Sequence, residues 1–115
     1  MSKVTIWHNP KCSKSRQALE IVEQNGCEKE VVKYLEATPS KDQLKNVLKM
    51  LGISPRELMR TKEDLYKELD LKNETNDEKL IDAMVQNPKL IERPIIIKGN
   101  KAVIARPPEK ALELL

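Results

Sequence analysis

Residues 93–104, Arg-Pro-Ile-Ile-Ile-Lys-Gly-Asn-Lys-Ala-Val-Ile, limit most strongly what this chain can fold into. Ile95-Ile96-Ile97 is an unbroken apolar run, typical of a strand buried on both faces. Gly99-Asn100 is a two-residue hairpin turn, and Ala102-Val103-Ile104 forms the returning strand. Pro94 pushes the residue before it into extended geometry, so Arg93 cannot belong to a helix.

The remaining elements follow from periodicity and punctuation. Val4-Thr5-Ile6-Trp7 reads as a strand that Pro10 ends. Ala18, Leu19 and Val22 recur at helical spacing, with Ile21 widening the stripe and Gly26 as the left-handed cap. Glu30 to Tyr34, with Val31-Val32, reads as a second strand, and such a β-α-β crossover implies parallel pairing. Residues 38–91 then read as an all-helical block. Ser40 with Gln43 is a capping-box start, Leu44, Val47, Leu48 and Leu51 mark one face, and Gly52 stops the helix. Ser54-Pro55-Arg56-Glu57 repeats the device for a short helix through Leu58 and Met59. Glu63 to Asn73 reads as a polar stretch. Thr75 or Asn76 opens a helix carrying Leu80, Ile81, Met84 and Val85, which Asn87-Pro88 breaks. Pro107-Pro108-Glu109 starts a last helix with Leu112 and Leu115 inward. The order β-α-β, helical insertion, β-β-α predicts an α/β fold with a four-stranded mixed sheet and helices on both faces. It is similar to the thioredoxin topology, as a single domain over 1–115 with the insertion at about 38–91.

Chemistry concentrates between His8 and Arg16, His-Asn-Pro-Lys-Cys-Ser-Lys-Ser-Arg. Cys12 falls where a helix begins, so unpaired N–H groups and the positive end of the helix dipole point at it. Lys11, Lys14 and Arg16 add positive charge. Such surroundings draw a thiol pKa down from about 8.5, and the same N–H groups attract an oxyanion. Arg60, Arg93 and Arg106 are candidate oxyanion ligands, because guanidinium groups bind tetrahedral oxyanions through paired hydrogen bonds. Arg93 and Cys12 are expected to be neighbours, since the loop before the third strand lies beside the cysteine loop in such a sheet. His8 is the one side chain that ordinarily titrates near neutrality, which fits a supporting role in tuning Cys12. Ser15 completes Cys-x-x-Ser where a dithiol oxidoreductase has Cys-x-x-Cys, so it is expected to hydrogen-bond the sulfur or the substrate. Cys27 lies at the far end of the helix, roughly 20 Å from Cys12, and reads as structural or incidental.

Composition removes other classes. With 34% charged and 39% hydrophobic residues the chain reads as an ordered, soluble protein, and a net charge of +3 with interleaved Lys and Glu marks no nucleic-acid face. Met1 to Trp7 has no long apolar region, and no run suits a bilayer span, so neither export nor membrane insertion is expected. Two cysteines point to a reducing, cytoplasmic setting, and one histidine without a Cys/His cluster argues against a zinc site. Phosphatase-type loops place arginine six positions after the cysteine, where this chain has Ala18. Phosphate-cradling glycine loops are missing, since only Gly26, Gly52 and Gly99 occur.

The sequence resembles the glutaredoxin-coupled arsenate reductases, whose fold also serves the Spx-type regulators. The likeness rests on His-Asn-Pro-x-Cys-x-x-Ser-Arg, Tyr34-Leu35-Glu36, Leu58-Met59-Arg60, Asn87-Pro88, Ile91-Glu92-Arg93-Pro94-Ile95 and Arg106-Pro107, in order over essentially the full chain. The short C-terminal end and Cys-Ser-Lys-Ser-Arg look most like the compact, arsenate-reductase-like branch. The resemblance implies that a thiolate at Cys12 attacks arsenate, glutathione displaces oxygen from arsenic, glutaredoxin attacks the mixed species, and arsenite leaves. It implies that Arg60, Arg93 and Arg106 hold the oxyanion, that His8 helps lower the cysteine pKa, and that Ser15 supports the thiolate. Pro94 is then the cis-proline facing the active cysteine. No bound cofactor is implied, and a monomer is expected. Two alternatives share the fold: an RNA polymerase-binding regulator of the Spx type, which senses oxidation through Cys-x-x-Cys, and a glutathione-linked thiol oxidoreductase with another substrate.

Overall fold

The computed structural model of the chain describes residues 3–26 and 28–115, so the expectation for Cys27 lies outside the described residues. The chain divides into two compact units, one formed by the residues up to Ala37 together with Arg93–Leu115, the other by Thr38–Glu92.

The first unit carries the sheet. Its elements are β1 (Val4–Trp7), α1 (Ser13–Gln24), β2 (Lys29–Val32), then β3 (Ile95–Lys98), β4 (Lys101–Ile104) and a 3₁₀ helix, Pro108–Glu113. The sheet has four strands in the order β2-β1-β3-β4. β1 runs parallel to β2, as the crossover through α1 requires, while β1–β3 and β3–β4 are antiparallel. Lys98 pairs with Lys101 across the hairpin, and Gly99 takes the positive φ of 61° that the tight turn needs. α1 and the C-terminal 3₁₀ helix pack together, and Val4, Ile6, Ala18, Val22, Ile96, Ala105 and Ala111 form their core with the sheet. Burial of each of the larger aliphatics there stabilises the fold by about 1.5–3 kcal/mol.

Two expectations need correction in this unit. β2 covers Lys29–Val32 rather than Glu30–Tyr34, because its register is set by the four residues of β1, from Val4↔Lys29 to Trp7↔Val32. β2 is also an edge strand, which leaves Val31 partly exposed. At the C-terminus Leu112 is 53% exposed instead of inward. The segment is a 3₁₀ helix, where residues three apart eclipse, so Pro108 and Ala111 face the core and Leu112 turns out. Leu115 packs against the core as expected.

The second unit holds α2 (Lys41–Leu51), α3 (Pro55–Leu58), α4 (Asp64–Glu68) and α5 (Asp77–Gln86), with 3₁₀ turns at Leu71–Asn73 and Pro88–Leu90. Ser40 caps α2 through a complete capping box with Gln43, and Gly52 closes it at a φ of 67°. Asn76 caps α5, its side chain accepting from the Glu78 N–H. α2 and α5 pack together, burying Leu44, Val47, Leu48, Leu80, Ile81 and Met84. The stretch 63–73 is structured, against its polar appearance. Arg56 donates through Nη1 to the Tyr66 hydroxyl and, at 3.0 Å, to the Leu71 carbonyl, and through Nη2 to the Glu74 carbonyl. One guanidinium thus replaces the local pattern that the stretch lacks.

Candidate active site

Cys12 is the N-cap residue of α1, with extended backbone at φ −96° and ψ 121°. The cap is built by Asn9-Pro10-Lys11-Cys12. The Cys12 N–H donates to the Asn9 carbonyl at 3.0 Å, and the Lys11 N–H donates to Asn9 Oδ1 at 3.0 Å. Arg16 closes the loop from outside, its Nη1 donating to the Pro10 carbonyl at 3.0 Å. An N-cap side chain faces the free N–H groups of the next two or three residues. Here that side chain is a sulfur, and the first turn of α1 carries no acidic residue to compete for those donors.

The thiol is partly exposed and free. Partial burial works to raise its pKa, but the backbone N–H of Ser15, the hydrogen bond and charge of the Arg93 guanidinium, and the backbone N–H of Lys14 outweigh it. The net effect holds Cys12 below the ordinary thiol value, so the thiolate is favoured. The structure therefore brings Arg93 to Cys12. Arg93 in turn is desolvated by burial, yet the partnership with Cys12 and with the Tyr34 hydroxyl keeps its pKa above the usual arginine value. Tyr34 is fully buried, and its hydroxyl is among the groups that raise the Arg93 pKa. It was visible in the sequence only as part of a motif, and its burial is what gives it a role.

The Arg93–Pro94 peptide bond is cis, as is Arg106–Pro107. The Ala105 N–H donates to the Pro94 carbonyl at 2.9 Å, which fastens the segment after β4 to the start of β3. Arg106 is exposed and reaches Arg93 through the backbone, its Nη1 donating to the Arg93 carbonyl at 3.2 Å.

His8 and Ser15 meet each other rather than the sulfur. His8 Nδ1 and Ser15 Oγ are 2.7 Å apart, and the Asn9 N–H donates to the same Oγ at 3.0 Å. Both side chains are buried. Burial, followed by the charges of Lys33 and Arg16, lowers the His8 pKa against the opposing Ser15 hydrogen bond, so the ring is neutral at pH 7. With its proton on Nε2, the neutral ring accepts from the Ser15 hydroxyl at Nδ1, while the Ser15 oxygen accepts from the Asn9 N–H. What Ser15 gives the sulfur is its backbone N–H.

Arg60 belongs to the second unit. Its backbone N–H donates to the Leu90 carbonyl at 2.7 Å, beside an antiparallel bridge between Met59 and Ile91. Its Nε lies 3.5 Å from Glu63 Oε1, and its buried Nη1 has no hydrogen-bond partner among the described residues. Among the described residues no group of three or more His, Cys, Asp or Glu could hold a metal ion. Among them, also, no helix is long and apolar enough to cross a membrane.

A partly exposed thiolate at a helix N-terminus, with a guanidinium beside it, can attack an electrophilic centre that carries negative oxygens. The comparisons agree with that chemistry. The model of the ArsC family matches residues 7–114. An uncharacterized protein of Escherichia coli K12, YfgD, is 55% identical over 115 residues, covering 98% of this chain and 97% of its own. An arsenate reductase of Neisseria meningitidis serogroup B is 47% identical over 111 residues, 95% of each chain. The solved structure of an arsenate reductase from Vibrio cholerae superposes with a TM-score of 0.96 at 48% identity, covering 99% of this chain and 98% of that one.

Proposed function

The chain belongs to the ArsC family, and from that premise we propose that it is an arsenate reductase with Cys12 as the nucleophile. The observation that carries the proposal is the thiolate-favouring cap: Cys12 is the N-cap of α1, whose first turn has no acidic residue, and the Ser15 and Lys14 N–H groups and Arg93 lower its pKa.

The Cys12 thiolate attacks arsenic(V), and one oxygen leaves as water, which forms a thiol–arsenate adduct. Glutathione adds to arsenic and displaces a second oxygen as water. A glutaredoxin thiolate then attacks the glutathionyl sulfur. The electron pair of the arsenic–sulfur bond stays on arsenic, which becomes arsenic(III), while glutaredoxin and glutathione form a mixed disulfide. Water releases arsenite and returns the Cys12 thiolate. The two thiols supply both electrons, so the chemistry requires no bound cofactor.

In this mechanism Arg93 acts twice, favouring the thiolate before attack and binding the arsenate oxygens during it. Arg106 is a further oxyanion ligand, and the family resemblance carries Arg60 as another. His8 and Ser15 are positioning residues that set the loop carrying Cys12. Pro94 holds the turn that presents Arg93. The proposal includes action as a monomer in the reducing cytoplasm, with residues 38–91 as an insertion in one thioredoxin-like domain.

The test is arsenate-dependent NADPH consumption with glutathione, glutathione reductase and glutaredoxin. Wild type should turn over only when both thiol donors are present. Cys12→Ser should lose turnover entirely and keep its circular dichroism spectrum. A folded wild type with a reactive Cys12 and no arsenate turnover would refute the assignment.

A further inference from the structure

A cavity of about 220 Å³ opens beside the cysteine loop, and none of the mechanism above uses it. Its floor is formed by the buried His8 and Asn9. Pro10 and the 40% exposed Leu35 supply apolar walls. Lys11, Lys33 and Glu36 stand exposed at its rim. Two closed turns fix this arrangement. The Cys12 N–H donates to the Asn9 carbonyl at 3.0 Å, so the wall formed by residues 9–11 ends at the nucleophile itself. The Glu36 and Ala37 N–H groups donate to the Lys33 carbonyl at 2.9 and 2.8 Å, which brings Lys33 and Glu36 to one mouth. Among the described residues no ion pair engages Lys11, Lys33 or Glu36. Two ammonium groups and one carboxylate around an apolar slot therefore remain open to a ligand.

That charge set complements a zwitterionic amino-acid end rather than a simple anion. The volume falls short of the roughly 300–1,000 Å³ of a complete small-molecule site, so it suits one end of a larger molecule. We propose that the cavity binds the γ-glutamyl end of glutathione. Lys33 and Lys11 pair with its α-carboxylate, Glu36 pairs with its α-ammonium, and its methylenes lie on Leu35 and Pro10. The cysteinyl sulfur then extends along the loop toward Cys12. This rests on the glutathione-dependent reading above and assigns the place where that thiol enters.

The test needs neither arsenate nor glutaredoxin, so its failure and the failure of the arsenate reading are separate. Cys12 thiolate attacks one sulfur of oxidised glutathione. The old S–S bond breaks, a Cys12–glutathione disulfide forms, and the second glutathione leaves with the electron pair and takes a proton from water. The rate is followed by mass spectrometry for oxidised glutathione and for the uncharged hydroxyethyl disulfide. Lys33→Ala should slow the glutathione reaction about fivefold and leave the uncharged disulfide unaffected, with Lys33→Arg restoring most of the rate. Glu36→Gln should also slow it. Simple charge steering would make Glu36→Gln faster toward this anionic reagent, and that result would overturn the proposal. Equal slowing of both disulfides by Lys33→Ala would overturn it too. So would a Lys33→Ala rate toward oxidised glutathione equal to that of the wild type.

Discussion

Two helices of nearly equal length begin in opposite ways. α2 starts at Ser40, whose hydroxyl accepts from the Gln43 N–H at 3.2 Å while Gln43 Oε1 accepts from the Ser40 N–H at 2.9 Å. Asp42 adds a carboxylate in the first turn. The orphan donors of that terminus are satisfied within the helix, and its dipole is met by a local charge. α1 starts at Cys12, which has no oxygen to offer, and no acidic residue follows in its first turn. The Ser15 and Lys14 N–H groups and the Arg93 guanidinium act instead on the Cys12 sulfur and lower its pKa. The same physics that makes one terminus a source of stability makes the other a source of reactivity. The difference lies in which atom stands at the cap.

The reactive terminus carries the largest expected effect. Arg93→Lys keeps a charge but loses the planar fork, and arsenate kcat/KM should fall about 10²-fold in the coupled assay. Arg60→Ala should act mainly on the KM for arsenate. If Arg93→Lys retained full activity, charge alone would suffice and the paired-donor account would fail.

Ser15→Ala separates the backbone from the side chain. Alanine keeps the N–H that serves the sulfur but leaves His8 Nδ1 and the Asn9 N–H buried without their partner. Stability should drop by about 1–3 kcal/mol in a urea titration, with the Cys12 thiol pKa nearly unmoved. A large rise in the thiol pKa would return the hydroxyl to the role of a direct ligand to sulfur. The same pair gives a pH dependence. His8 has its pKa lowered in the fold, so below the unfolded value of about 6.5 the unfolded chain binds the extra proton. Stability from this site should be complete above that pH and lost as pH falls through the folded value.

The smallest effect belongs to the other terminus. Ser40→Ala should cost about 1 kcal/mol of stability and leave the reactivity of Cys12 unchanged.

The elements with local signals were legible in the sequence. Cys12 as a cap, the Ser40–Gln43 box and the Gly99 turn each depend on residues a few positions apart, whereas the cis bond at Pro94 was legible only through the family resemblance. What escaped depends on distant partners. His8 and Ser15 lie seven residues apart, and nothing in their spacing says that the hydroxyl turns to the ring instead of the sulfur. The helix at Asp64–Glu68 is held by Arg56, which reaches as far as Glu74. Tyr34 acquires its place beside Arg93 through a fold that brings residue 34 to residue 93. Leu112 faces out because the segment is a 3₁₀ helix whose buried side is taken by Pro108 and Ala111, which nothing local in the sequence announces. The basic residues around Cys12 act less through side-chain charge than their sequence positions suggest. Lys14 acts on the sulfur through its backbone N–H, and Arg16 braces the loop by holding the Pro10 carbonyl.

The central claim is that the α1 terminus and Arg93 together hold the Cys12 thiol pKa below its ordinary value. The most direct measurement is the rate of Cys12 alkylation by iodoacetamide between pH 4 and 10, in a Cys27→Ser background so that one thiol titrates. The account predicts a midpoint clearly below the ordinary thiol value of about 8.5, moving up toward it in Arg93→Ala. A wild-type midpoint at or above 8.5, unmoved by Arg93→Ala, would contradict it.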